Sequence, residues 1–198
     1  MAEKGENTRA RILDEAMRLA SQDGVKGLSI GILAGVLGMS KSGLFAHFGS
    51  KEALQIATLE HAAVQIQERT APAAQVAPGP GRLRFLFLAM QGWIDDPGLP
   101  GGCPITGACF EFDDQDGQVR EALVGIQRRI LGATAGVFDG FAHPAWDREQ
   151  LAFEFNALCL AYHLGSRLLR QGQAGDWANE ALESLIKKAQ QPAGAHTL

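Results

Sequence analysis

The stretch Leu28-Ser29-Ile30-Gly31-Ile32-Leu33-Ala34-Gly35-Val36-Leu37-Gly38-Met39-Ser40-Lys41-Ser42-Gly43-Leu44-Phe45-Ala46-His47-Phe48-Gly49-Ser50-Lys51-Glu52-Ala53-Leu54 decides how this 198-residue chain is read. Ser29 offers an N-cap to a helix carrying Ile30, Leu33, Ala34 and Leu37. Gly38-Met39-Ser40 is a tight turn, and Ser40 caps a second helix with Leu44 and Phe48 on one stripe. Gly49-Ser50 ends that helix, and Ser50 caps a longer one running to about Arg69. Two helices joined by a Gly-containing turn of about three residues is the helix-turn-helix layout.

Two lysines in this stretch stand where helix physics disfavours them. Lys41 and Lys51 each follow a capping serine, at the first position of a helix. That terminus already carries about half a positive charge, so a cation there costs about 0.3–1 kcal/mol. An external anion supplies the missing negative charge, and helix N-termini are natural phosphate sites. His47 and the hydroxyls of Ser29, Ser40 and Ser42 add donors between the lysines. Gly43 is a poor helix former whose missing side chain lets backbone approach another surface. Ser42 and Ala46 point away from the Leu44/Phe48 stripe, giving a small outer face that fits a major groove. Phe45 has two readings at this point, an exposed contact to a thymine methyl or a core aromatic beside Phe48.

These features together resemble the tetracycline-repressor (TetR) family of one-component transcriptional regulators. The resemblance spans about Thr8–Thr58: the first helix, Leu28-Ser29, Ile32-Leu33-Ala34, Leu37-Gly38-Met39-Ser40, Leu44-Phe45-Ala46-His47-Phe48 and Lys51-Glu52-Ala53-Leu54. It implies an all-α fold with an N-terminal three-helix DNA-binding domain and a C-terminal helical domain for ligand binding and dimerisation. It places Lys41, Ser42 and Phe45 at positions that reach base edges, and Ser29, Gly43, His47 and Lys51 at positions that grip phosphates, with Ser40 among the donors. Two departures stand out. The family often carries Tyr where Phe45 stands, so a hydroxyl bond to phosphate is not available here. Gly31 and Gly35 occupy the second helix, where stronger helix formers are usual.

Working outward, Thr8–Gln22 reads as a first helix with Ile12, Leu13, Ala16, Leu19 and Ala20 at helical spacing, stopped by Gly24. Residues 1–60 hold seven basic and seven acidic side chains, and residues 61–198 hold eleven and fifteen, so all of the net charge of −4 falls in the larger part. Net neutrality of the first part is compatible with DNA binding if Arg9, Arg11, Lys41 and Lys51 share a side from which Asp14, Glu15, Asp23 and Glu60 are turned away, because attraction acts within about 8–10 Å. The division expected is a DNA-binding domain over 1–50 and a ligand-binding and dimerisation domain over 51–198, with residues 51–69 as linking helix.

Beyond a Pro/Gly/Ala-rich joint at 70–81, helices are expected over Arg82–Ile94, Cys103–Phe112, Gln118–Phe141, Arg148–Arg170 and Trp177–Ala189. No strand alternation or internal repeat is evident. Leu151, Phe155, Leu158, Tyr162, Gly165 and Leu169 recur in alternating steps of four and three, with Leu160, Leu164 and Leu168 on another face. Trp177, Ala181 and Leu185 repeat the four-step on the last helix. Two apolar faces predict one for the core and one for a partner. The seam of 151 to 169 with Trp177, Ala181 and Leu185 is assigned to a two-fold dimer, the alternative being a helix buried centrally within one chain. A palindromic operator follows from such symmetry.

Effector-lining candidates are Phe85, Met90, Trp93, Cys103, Phe110, Phe138, Tyr162 and His163, against the plainer reading of core aromatics. Glu111, Asp113, Asp114 and Asp116 read as an acidic cluster ending one helix and capping the next. Cys103, Cys109 and Cys159 lack paired ligand spacing, so no zinc site or disulfide scaffold is expected, and no basic neighbour lowers a thiol pKa. No cofactor or metal is expected. The polar N-terminus and the absence of an 18-residue apolar run predict a cytoplasmic chain without a membrane partner. The expected partners are a double-stranded operator, a small-molecule effector and a second copy of the chain. A helical enzyme is the first alternative, disfavoured by the lack of a nucleophile elbow or phosphate-cradling loop and by His143, His163 and His196 having no evident partner. A helical adaptor without DNA affinity leaves Lys41 and Lys51 unexplained.

Overall fold

The computed structural model of the chain describes residues 2–192, with side chains from Thr8 onward, so His196 lies outside the described residues. Among them every regular element is helical. The elements are α1 (Ala2–Asp23), α2 (Ile30–Leu37), α3 (Lys41–Phe48), α4 (Lys51–Thr70), a 3-10 turn (Ala71–Gln75), α5 (Pro80–Ile94), α6 (Pro104–Phe112), α7 (Gln118–Phe138), α8 (Arg148–His163), a π turn (Leu164–Leu168) and α9 (Ala174–Gln190). Contacts sort the chain into two compact units. One holds the residues up to Gln67 together with Asp96–Ile126, the other Glu68–Asp95 and the residues from Gln127 on.

In the first unit the stripe of α1 (Ile12, Leu13, Ala16 and Leu19) meets Leu28, Leu33 and Ala34, Leu44 and Phe48 from α3, and Leu54 from α4. Leu33, Leu44 and Leu54 are fully buried, and each contributes about 1.5–3 kcal/mol on leaving water. The short helices α2 and α3 are set by their ends. Ser29 Oγ accepts from the Ile32 N–H at 3.3 Å, Ser40 Oγ from the Gly43 N–H at 3.1 Å, and Ser50 Oγ from the Ala53 N–H at 3.0 Å. Gly38, at φ +63°, closes α2 with its own N–H on the Gly35 carbonyl and the Met39 N–H on the Ala34 carbonyl. Despite Gly31 and Gly35, α2 is regular, because caps at both ends and two buried residues outweigh a propensity deficit of about 1 kcal/mol per glycine.

In the second unit Leu83, Phe87 and Ile94 of α5 and Phe138 of α7 pack with Leu151, Phe155, Cys159 and Tyr162 of α8 and with α9. Phe87 and Phe155 meet edge to face with ring centroids 5.7 Å apart. Arg84 makes two bonds to Glu183, and Lys188 bonds Glu154 at 2.5 Å, which ties α9 to α5 and α8. The joint at 70–81 is not slack: Arg82 donates to the Val76 carbonyl at 2.9 and 2.6 Å.

Several helix ends differ from the periodicity: α1 begins at Ala2, α5 at Pro80 and α9 at Ala174, each earlier than the apolar pattern starts. α7 stops at Phe138 rather than Phe141, because the Phe141 and Ala142 N–H groups both turn back onto the Phe138 carbonyl. Gly140 there lies so close to Pro78 that a Cβ would stand 2.6 Å from it. The α8 helix stays regular only to His163. The Leu169 N–H then bonds the Leu164 carbonyl in the wider π pattern, and Arg170 takes φ 51°.

The proposed dimer seam is corrected by this packing. Leu151, Phe155, Tyr162, Gly165 and Leu185 are buried inside their own unit, so they are core and not a surface for a second copy. Leu158 packs partly buried against that core, and Ala181 is half-buried. Leu169 is exposed because the π turn shifts the register of the stripe. The apolar face left open from α8 into the π turn is that of Leu160, Leu164 and Leu168, joined by exposed Phe153, and Trp177 on α9 is exposed too.

Candidate nucleic-acid interface

Lys41 opens α3 and Lys51 opens α4, each directly after a serine whose hydroxyl is occupied as a cap. Both side chains are exposed, and neither forms an ion pair among the described residues. The Lys41 stem runs past Gly31, where a Cβ would make ordinary contact with its Cε at 3.7 Å. Ser40 and Ser42 are exposed, with their hydroxyls 3.3 Å apart, and Ser29 is half-buried at the start of α2. Each capping oxygen accepts a backbone N–H and still carries its own hydrogen as a donor, which at Ser40 can go to Ser42 or outward.

Phe45 is 54% exposed, so the core reading fails and the ring is free to meet another surface. Phe48 is the core aromatic of α3, carrying the Arg9 guanidinium 5.3 Å over its ring. His47 is half-buried, its ring tilted 6.2 Å from that of Phe48. Gly43 also borders the Ser40 cap. A Cβ there would stand 3.0 Å from Ser40 Oγ, so the missing side chain leaves room for the Ser40 cap. Two acidic side chains of α1 have partners of their own: Asp14 bonds His61 at 2.7 Å, and Glu15 bonds Arg18 at 2.6 Å.

The effector-lining candidates divide. Phe138 is fully buried in the core of the second unit, and Phe110 is 71% exposed. Cys103 is buried at the start of α6 and belongs to the first contact unit. Phe85 is half-buried on α5, and Met90 packs against the core of the second unit. Trp93, Tyr162 and His163 stand in a polar setting. The Tyr162 hydroxyl donates to Asp95 Oδ2, and Arg167 donates to the Ile94 carbonyl at 3.0 Å. Burial and then the Asp95 carboxylate push the Tyr162 phenol up to about 12. Burial and then the Arg167 charge hold the His163 imidazole below its ordinary value, hence neutral at pH 7. Arg69 lies 5.5 Å over the Trp93 ring and donates to the Gly92 carbonyl. The buried side-chain polar atoms that lack a partner among the described residues are Trp93 Nε1, His163 Nδ1 and Ser166 Oγ.

Sequence reasoning missed two residues. Glu111 does not cap a following helix; its carboxylate bonds the Val25 and Lys26 N–H groups. Buried Gln55 donates to the Val25 carbonyl. No local pattern signals either, since the partners lie 86, 85 and 30 residues away. Cys103, Cys109 and Cys159 form no disulfide, and no metal-binding group of side chains occurs among the described residues. No helix among them is long and apolar enough to cross a membrane.

Residues 12–58 match the family profile described as bacterial regulatory proteins, tetR family, and residues 79–182 match that of the Tetracyclin repressor-like, C-terminal domain. No curated protein matches the chain in sequence. Solved structures share the fold. A TetR-family transcriptional regulator from Streptomyces coelicolor superposes with TM-score 0.81 at 20% identity, covering 92% of this chain and 96% of its own. A TetR transcriptional regulator from Chloroflexus aurantiacus gives 0.80 at 24%, covering 96% and 98%. AibR, solved in complex with isovaleryl coenzyme A and operator DNA, gives 0.70 at 21%, covering 90% and 98%.

Proposed function

The chain belongs to the tetracycline-repressor family of transcriptional regulators, and from that membership we propose that it is a repressor which binds a palindromic operator as a homodimer and is released by a small apolar or aromatic effector. The observation that carries the DNA-binding role is the pair of exposed, ion-pair-free lysines at the first positions of α3 and α4. On this reading Lys41, Ser42 and Phe45 reach base edges, and Ser29, Ser40, Gly43, His47 and Lys51 lie along phosphates. The functional division is taken after residue 50, with 51–198 serving effector and dimer and 51–69 linking them. The grouping of 96–126 with the N-terminal unit describes packing, whereas this division describes which surface meets DNA.

The second copy is held by the open face of α8, Phe153, Leu160, Leu164 and Leu168, with Trp177 of α9. The effector meets Trp93, Tyr162 and His163. An indole N–H only donates and the imidazole is neutral, so the molecule that fits carries an uncharged oxygen acceptor on an apolar body. Phe85 and Met90 supply apolar lining. AibR, which binds an acyl coenzyme A and its operator, is a precedent for joining the two activities in this fold. A 100-fold preference of the effector for the DNA-free state corresponds to about 2.7 kcal/mol, ordinary for allosteric coupling. The protein works in the cytoplasm and is not an enzyme on this reading.

Selection from random duplexes, followed by gel shift, tests it. The parent chain should enrich a palindrome, and Lys41→Ala and Lys51→Ala should each weaken binding to it. A helical enzyme or adaptor would enrich nothing.

A further inference from the structure

The turn between α1 and α2 is held by side chains from two other helices of the same unit. Val25 is fully buried, so neither of its backbone polar groups reaches water. Its N–H donates to Glu111 Oε1 at 3.1 Å, and the next N–H, of Lys26, donates to Glu111 Oε2 at 2.6 Å. Its carbonyl accepts from Gln55 Nε2 of α4 at 2.7 Å and from the Leu28 N–H at 3.1 Å. The carboxylate sits directly on the backbone: Gly24, at φ +79°, would place a Cβ 2.8 Å from Glu111 Oε1. One turn back, the Gly101 N–H donates to Ser21 Oγ at 3.2 Å, and a Cβ on Gly101 would stand 1.5 Å from the Ser21 carbonyl oxygen.

Apolar packing alone lets a helix slide by fractions of an ångström, whereas a carboxylate bonded to two successive amides fixes direction as well as distance. Between Val25 and the Ser29 cap of α2 lie three residues, of which Leu28 is buried. The position of α2, and of α3 packed on it, therefore starts from this clamped turn. We propose that Glu111, working with Gln55, is a positioning residue for DNA binding: it sets where the α2–α3 pair stands without itself touching DNA. The proposal rests on the DNA-binding reading above.

Electrostatics makes the test sharp. Removing a negative charge favours DNA binding by steering, whereas loss of positioning weakens it. The operator selected by the parent chain is offered to Glu111→Ala, Glu111→Gln and the control Glu121→Ala, a loss of exposed charge on α7. Affinity is measured by fluorescence anisotropy at a temperature where circular dichroism shows each variant folded. Duplexes with half-sites moved one base pair nearer or farther are measured alongside. The expected result is at least tenfold weaker binding for Glu111→Ala, an intermediate loss for Glu111→Gln, and no loss for Glu121→Ala. The parent's discrimination against altered spacing should fall to within threefold in Glu111→Ala, which a clamp serving stability alone would not change. Folded Glu111→Ala binding as tightly as the parent, with spacing discrimination intact, overturns the proposal. If Glu111→Ala does not fold, Glu111→Gln decides, and binding within twofold of the parent overturns it. Failure of the parent to select any duplex sinks the DNA-binding reading and this proposal together, while parent binding with an unaffected variant sinks the proposal alone.

Discussion

Replacing Leu164 by Glu tests which face of α8 meets a second copy. Leu164 lies near the middle of the open apolar stripe and is 51% exposed in the single chain. Full burial of a leucine contributes about 1.5–3 kcal/mol, so covering the remaining half contributes about 0.8–1.5 kcal/mol per protomer and about 1.5–3 kcal/mol across a two-fold interface. At 1.4 kcal/mol per factor of ten, Leu164→Glu should raise the dimer Kd by about 10- to 150-fold from lost burial alone. Burying a carboxylate there adds to the loss. The monomer should keep its helical content, because the side chain makes little of its own core. Leu151→Ala is the contrast: a fully buried side chain whose truncation costs about 2–5 kcal/mol of folding stability, read as a lower Tm. Sedimentation equilibrium from nanomolar to micromolar protein measures the first, and thermal melts the second. An unchanged Kd for Leu164→Glu, at concentrations where the parent dissociates, would refute the assignment of this face.

Three further outcomes are expected. In a log–log plot of operator affinity against salt, Lys51→Ala should flatten the slope by about 1.8, since it removes two phosphate contacts per dimer at about 0.9 apiece, whereas Lys41→Ala, a base-edge residue, should flatten it less; a parent slope near zero contradicts phosphate gripping. The His163 pKa is held below 6.5 in the folded chain, first by burial and then by Arg167. The unfolded chain therefore takes up that proton first as pH falls below about 6.5, and stability present above that pH is lost on the acid side. Melts of His163→Gln between pH 7.5 and 5 should fall less steeply than those of the parent, and parallel curves would count against the buried neutral imidazole. Gly101→Ala should cost at least about 3 kcal/mol, read as a Tm lower by about 6–12 °C, because the clash is with Ser21 backbone rather than a movable side chain.

Much of the interface was legible because its determinants are local. Ser29, Ser40 and Ser50 each act on an N–H three residues on, so the cap pattern reads straight from the chain, and with it the positions of Lys41 and Lys51. The exposure of Phe45 was not legible. On the wheel it flanks the buried stripe, and only the packing of Phe48 under Arg9 shows which aromatic enters the core. Gly43 stands out locally as a glycine inside a short helix, but its closeness to the Ser40 cap that precedes α3 shows only in three dimensions. Aromatic composition does not separate a core ring such as Phe138 from an exposed one such as Phe110.

The amino-acid sequence alone determined the capped boundaries of α2 and α3 and the start of α4, the helix-turn-helix, and the existence of two apolar stripes from α8 into the π turn. Those properties arise from interactions within about four residues, which periodicity and capping record. Tertiary structure alone decided which stripe lies inward, where α8 widens into a π turn, and that the backbone of Val25 is shared between Gln55 and Glu111. An apolar period states that a face must be covered, not by what. A buried backbone group must find a partner, and here that partner comes from 30 or 86 residues along the chain, a distance at which only folding brings the atoms together.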